Sequence, residues 1–317
     1  MKTKAFLLGS LALALAACSN DENSGSDTGN NGRALFSASI EGQNKTRAYD
    51  TSWEVNDCIG ITGTTGGKTY TNVAHHTTDG KGNFTVVTAG TDIYYQDDNP
   101  VNFTAYYPWN DLAAGTSTIA ANTWGQSDQK KFDFLHATAT GSKGTPNVAF
   151  TFGHRMAKLV LTIKKGKDVS FEEVKAAILS LEGFKYKGTF NVTDGTTATD
   201  NDGTSGWQFA HSSDAPHNAP FTLDENGQTV VYMLILFPQE FDKALPFSAT
   251  LTDKQTFSAT LDFTAANQDA GDAAPKNEWV KGRQYNMSVT LNKTGITVDG
   301  CTITEWKEAN GGNVDAD

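Results

Sequence analysis

Leu15-Ala16-Ala17-Cys18 is the first place in this chain where residue types and spacing could do chemistry. A thiol stands directly behind two small residues at the end of an apolar run, and Lys2 and Lys4 precede that run. A basic start, an apolar stretch and small residues are the layout of an export signal, and Ala5 to Ala17 is shorter than the ~20 apolar residues of a spanning helix. The four residues look like a bacterial lipobox, in which the thiol of Cys18 is diacylated and the chain is cut in front of it. Residues 1–17 then form a lipoprotein signal peptide, and acyl chains such as palmitate tether Cys18 to a membrane. Each buried CH₂ adds ~0.8 kcal/mol, so several chains on one residue make a stable anchor.

The polar stretch "QNKTRAYD" contains one arginine, Arg47, and Arg33 stands ahead of the first alternating run. Elsewhere the residues point away from catalysis. The histidines form no HExxH and no Cys/His spacing suited to zinc. His75-His76 reads as a surface pair, and His154 as a hydrogen-bonded structural histidine. "TDNDG" (199–203) lacks the closing Glu of a calcium loop and reads as a solvated acidic loop. No GxSxG, P-loop or paired-carboxylate signature stands out. No catalytic residue, metal ligand or cofactor is therefore expected. Trp109, Trp124 and Trp207 could stack on sugars, although strand-edge packing explains them as well.

Composition narrows the class of partner. The 317-residue chain carries a formal net charge of −11, which argues against nucleic acid or anionic lipid as a partner. Besides Cys18 there are only Cys58 and Cys301, both in strand-like contexts. They read as two small buried hydrophobes, with a disulfide between them as the alternative.

The elements that must position these residues are strands. Residues 18–33, including the Gly/Ser/Asn-rich "NDENSGSDTGNNGR", form a flexible tether. "ALFSASIEG" follows with Phe36, Ala38 and Ile40 on one face and Ser37, Ser39 and Glu41 on the other, a half-buried strand. A strand signal starts at Trp53 and runs to Ile61, and Asp79-Gly80 opens a hairpin. "VNFTAYYPW" alternates until Pro108, and "NVAFTFGHRMAKLVLTIKKG" reads as two strands or one bent at Gly153. "FEEVKAAILSL" has helical spacing at Phe171, Val174, Ile178 and Leu181, yet "AILSLEGFKYKGTFNV" also reads as a hairpin. "TVVYMLILF" is an interior strand, "PFSATLTD" and "TFSATLDF" form a hairpin, and "QYNMSVTL" and "GITVDGCTITEW" close the fold. Strands at such short spacing suggest β-sandwiches, divided near "ATGSKGTP" into domains 34–145 and 146–317.

Taken together, "TRAYDTSWEVNDCIGI", "VNFTAYYPW", "FTFGHRMAKLVLTIK" and "GRQYNMSVTL…GITVDGCTITEW" resemble the fimbrillin family of Bacteroidales, the type V pilins and their relatives. Asp21-Glu22, just behind Cys18, also resembles the export signal of Bacteroidetes surface lipoproteins. The resemblance implies an all-β fold of two tandem transthyretin-like Greek-key β-sandwich domains and a place on the outer membrane or in a fimbrium. It implies a removable plug strand, here Leu35, Phe36, Ala38 and Ile40, freed by a processing protease at Arg47, the one arginine of the polar loop behind the plug, with Arg33 ahead of the plug as the competing site. The vacated groove would take a donor strand from another pilin subunit, here carrying Ile296, Val298, Ile303 and Trp306. An uncut anchor or a tip subunit is the variant within the family. A monomeric surface lipoprotein that binds host or bacterial glycans is the alternative outside it.

Overall fold

Alternation of apolar and polar residues becomes strand almost everywhere it occurs. The computed structural model describes residues 32–41, 52–200, 207–210 and 219–306; Cys18 and Arg47 lie outside them. In chain order the first eight strands are β1 (Leu35–Ile40), β2 (Cys58–Thr65), β3 (Lys68–Thr77), β4 (Asn83–Val86), β5 (Val101–Tyr107), β6 (Thr118–Asn122), β7 (Leu135–Gly141) and β8 (Asn147–His154). Next come β9 (Ala157–Lys165), helix α1 (Phe171–Ala176), β10 (Ile178–Leu181), β11 (Lys187–Asn191), β12 (Thr197–Thr199), β13 (Gln208–Ala210) and β14 (Phe221–Asp224). The remainder is β15 (Thr229–Leu236), β16 (Gln239–Glu240), β17 (Leu245–Thr250), β18 (Thr256–Leu261), helix α2 (Thr264–Asp269), β19 (Glu278–Trp279), β20 (Arg283–Asn292) and β21 (Gly295–Glu305).

Seven strands of the N-terminal half hydrogen-bond in the order β1-β4-β3-β2-β5-β7-β8 and close back on β1. Every neighbouring pair is antiparallel except β1 and β8, which run parallel. Phe36, Ile61, Phe103, Val148, Phe150 and Phe152 fill the interior. Among the described residues closure leaves these seven strands without a free edge, and β1 is the strand that joins the two ends.

The C-terminal half is a sandwich. A five-stranded sheet, β14-β15-β9-β20-β21, shares a core with a four-stranded sheet, β13-β10-β17-β18. Leu161, Trp207, Phe247, Trp279 and Tyr285 lie in that core. A third cluster, with Tyr106, Phe134, Met156, Phe190, Phe237 and Trp306, packs between the two halves. It is covered by the three-stranded sheet β12-β11-β6, which supplies Ile119 and Phe190.

Ladders cross residues 145/146 in both directions. β8, on the far side of that division, pairs with β1 and β7, and β6, on the near side, pairs with β11. The break between β8 and β9 falls at Arg155-Met156, so Gly153 is not a bend but a β8 residue. The ambiguous "FEEVKAAILSL" splits: a capping box between Ser170 and Glu173 starts α1, Phe171 and Val174 are its buried residues, and β10 begins at Ile178. Helix α2 includes the buried Asn267, whose amide donates to the Lys276 and Glu278 carbonyls at 2.8 and 3.0 Å. His75 is not on the surface: it is 3% exposed and points into the closed ring. Cys58 and Cys301 are free thiols on different sheets, each partly rather than fully buried.

Candidate strand-exchange site

β1 sits in a slot with two unequal walls. Along β8 it makes six register pairs, from Leu35↔Asn147 to Ile40↔Phe152, whereas β4 supplies two, Phe36↔Phe84 and Ser37↔Asn83. Beyond β4 the wall is continued by single contacts: the Ala38 N–H donates to the Gly82 carbonyl at 2.7 Å, and the Ala34 N–H to the Ile93 carbonyl at 2.9 Å. Gly82, at φ +82°, is needed here, since a Cβ would lie 2.1 Å from the Ala38 oxygen. The Ala38 carbonyl also accepts the Trp53 indole N–H at 2.8 Å, which satisfies a group that β4 does not reach.

The inward side chains follow the period-2 pattern. Phe36 and Ile40 are each 5% exposed, and Ala38 is partly buried against the same core. Phe36 meets His75 and Phe103 edge-on at 5.0 and 5.3 Å and lies stacked on Phe150 at 5.9 Å. Burying Phe36 and Ile40 stabilises the strand by ~1.5–3 kcal/mol each. Leu35 belongs to the opposite face and is half-buried. Inside the ring, burial holds the His75 imidazole below its ordinary value, and Nδ1 lies 3.1 Å from the Val73 carbonyl. A neutral ring is what an aromatic pocket around Phe36 tolerates.

Trp53 is held mainly by contacts outside β1. Its indole packs on Phe84, Tyr107 and Phe152 at 5.1–5.5 Å. Asp57 accepts from the Glu54 N–H at 2.7 Å and from the Tyr107 hydroxyl at 3.0 Å, and burial pushes both Asp57 and Tyr107 up. Lys130 pairs with Glu54. After a cut between Glu41 and Trp53, the described contacts that hold the β1 fragment are those of its slot and those of Gly32 and Arg33 with Tyr94, Tyr95 and Asp92. Arg33 bridges to Tyr94, and its guanidinium lies 3.3 Å from Asp92.

The C-terminal candidate strand is an edge. Among the described residues β21 pairs with β20 alone, from Arg283↔Glu305 to Asn292↔Gly295. The register shifts between Ser288 and Val289, which pair with Gly300 and Val298 and leave Asp299 as the extra residue. This bulge changes which side chains face the core: Ile296, Cys301 and Ile303 pack against it, while Val298 is 37% exposed. Strict alternation does not put Ile296 and Cys301 on one face, and the signal for the change of phase between them is Asp299-Gly300 inside a strand pattern, with Gly300 at φ +141°. Trp306 lies just past β21, 3% exposed, in the cluster between the two halves. Its ring stacks on His154 at 3.9 Å with 4° between planes, and the Lys158 ammonium stands 5.7 Å from it. His154 Nδ1 is 2.9 Å from Asp133 Oδ1. Of the tryptophans suited to sugar stacking, Trp207 is fully buried and its indole donates to the Trp124 carbonyl at 2.8 Å.

Comparison with known proteins agrees with this architecture. Crystal structures of candidate cell adhesion proteins from Bacteroides uniformis and Bacteroides ovatus superpose with TM-scores of 0.66 and 0.67, each at 23% identity. They cover 87% and 88% of this chain, and 100% and 99% of their own. These two share the fold. The candidate fimbrium subunit Fim1C of Bacteroides uniformis is 28% identical over 324 aligned residues, 98% of each chain. A family model described as fimbrillin-like matches residues 46–306. That match begins in the stretch behind β1, takes in every later strand and ends on the buried Trp306, and so the chain belongs to the fimbrillin-like family.

Proposed function

We propose that this protein is a structural and adhesive subunit of a pilus on the bacterial surface, assembled by strand exchange. It is exported through the signal peptide 1–17, acylated at Cys18 and carried to the outer membrane. A protease then cuts behind β1 at Arg47, which separates the subunit from its anchor and frees β1 to leave. The vacated slot accepts the C-terminal strand of another copy or of a related subunit. The observation that carries this reading is the position of β1: the first strand of the fold is also the one that closes the ring. Its removal exposes a row of unpaired β8 backbone groups and the pocket of Phe36, a template for an incoming strand. Membership of the fimbrillin-like family and the similarity to Fim1C support a fimbrial role.

The test is Arg47→Ala. Brief trypsin-like digestion of the parent should create an N-terminus at Ala48, and unheated cell extracts should show a ladder of polymers that collapses on boiling. The variant should remain a folded, acylated monomer. Polymers formed by the variant would remove Arg47 from the mechanism, and a parent that stays monomeric after cleavage would remove strand exchange.

A further inference from the structure

The chain enters and leaves the β1–β8 ladder at opposite ends. Because the two strands run parallel, β1 receives the N-terminal chain at Leu35, opposite Asn147, and β8 passes it on beyond Phe152, at His154. From there it continues through Arg155-Met156 into β9, which eight register pairs hold to β15 and eight to β20. The cluster between the two halves takes Tyr106, Phe134 and Met156 from this same end of the ring. The other end is the entrance. There the Leu35 N–H donates to the Pro146 carbonyl at 2.9 Å, and a Cβ on Gly32 would lie 3.9 Å from Lys143 Cε. The Gly32 carbonyl accepts the Tyr95 N–H at 2.8 Å, and the Arg33 guanidinium lies 3.3 Å from Asp92.

We infer that β1, while the chain behind it is uncut, is a force-bearing clasp between the N-terminal tether and the C-terminal half, loaded in shear. Tension on the N-terminal chain against β9 draws β1 and β8 in opposite directions along their common axis. All six pairs then resist together, with Phe36 and Ile40 seated in the ring. An antiparallel β1 would enter at the end where β8 leaves, and the same tension would part the pairs one after another. The covalent route behind β1 does not share the load at first. Residues 42–52 reach ~35–40 Å when extended, whereas the Trp53 indole already lies 2.8 Å from the Ala38 carbonyl. They become taut only after β1 has left its slot, so β1 sets the force at which the uncut chain first yields. This rests on the proposed anchor at Cys18 for its role in the cell, although shear loading is a property of the folded chain.

Single-molecule pulling on the full, uncut chain tests it, with Cys18, Cys58 and Cys301 each changed to Ser. One handle is at the N-terminus. The other is a thiol either at Lys167→Cys, exposed just past the end of β9, or at Lys143→Cys, beside Gly32 at the entrance. The Lys167 handle loads the ladder along its length, and the Lys143 handle opens it from the Leu35 end, pair by pair. At one pulling speed the first yield with the Lys167 handle should need several times the force of the first yield with the Lys143 handle. Its first lengthening should be roughly 50 Å, the reach of the chain from Gly32 to Trp53 less their folded separation. Two outcomes overturn the clasp: equal first-yield forces for the two handles, or a first lengthening of another size with the Lys167 handle. Either leaves protease-triggered polymerisation of the parent standing. Conversely, a parent that never polymerises leaves the force ratio intact and strikes the proposed function instead.

Discussion

Gly82→Ala should loosen β1 from its slot, and its cost can be built up from the structure. A methyl at this position would sit 2.1 Å from the Ala38 oxygen and 3.3 Å from its carbonyl carbon, so the backbone of β1 must move. The residue also sits at φ +82°, which costs an L-residue about 1 kcal/mol. Moving β1 weakens the Ala38 N–H to Gly82 bond at 2.7 Å and the Trp53 indole bond to the Ala38 carbonyl at 2.8 Å, about 1 kcal/mol each. The total is about 3 kcal/mol. Gly90→Ala is the matched control, because Gly90 has φ +86° and open space within 4 Å of where a methyl would sit. It should show only the conformational part, about 1 kcal/mol. Urea unfolding of both variants gives the difference, expected at about 2 kcal/mol. After cleavage behind β1, the Gly82 variant should lose the β1 peptide faster than the control. Equal destabilisation by the two substitutions would refute the tight seat of β1 on Gly82.

Three further outcomes follow from the same geometry. Trp53→Phe keeps an aromatic ring against Phe84, Tyr107 and Phe152 but removes the N–H to Ala38, so the cleaved protein should release β1 sooner, with about 1 kcal/mol lost in urea unfolding. Acidification should destabilise the fold: burial holds His75 down, and burial together with the Arg155 charge holds His136 down. The unfolded chain therefore binds more protons below the ordinary imidazole value of 6.5, so stability is full above that pH and falls beneath it, and His75→Gln should flatten the decline in a series of urea midpoints. The thiols of Cys58 and Cys301, pushed up by burial to about 11 and about 12, should react with a maleimide slowly in the native protein and fully in urea. Rapid native labelling of both would contradict their burial.

Much of this fold is legible locally, and what is not legible has a common physical cause. β1 could be read from Phe36, Ala38 and Ile40 because one face meets core and the other does not. The β3–β4 hairpin announces itself in Asp79-Gly80, and the β17–β18 hairpin in its repeated strand sequence, turning at Lys254 with φ +67°. Pairing partners distant in sequence leave no such mark. Nothing in "NVAFTFGH" says that its ladder partner is β1, more than one hundred residues earlier, in parallel. The ladder between β6 and β11 is equally silent, and these two cases are why strands cross the division expected at 145/146. His75 and its neighbour His76 look alike in sequence, yet alternation sends one ring inside to Phe36 and the other outward. The core-facing set on β21 shifted for a local reason, the bulge at Asp299, which strict alternation cannot anticipate.

On the proposed assembly route, β1 is present in the monomer and absent from the assembled subunit. Mass spectrometry of peptides from purified surface polymers, beside the cell-associated monomer, measures this directly. Polymer subunits should begin at Ala48 and yield no peptide from residues 34–41, whereas the monomer should yield peptides from 34–41 and from the rest of the chain. Polymers whose subunits retain residues 34–41 in equal proportion to the rest of the chain would contradict it.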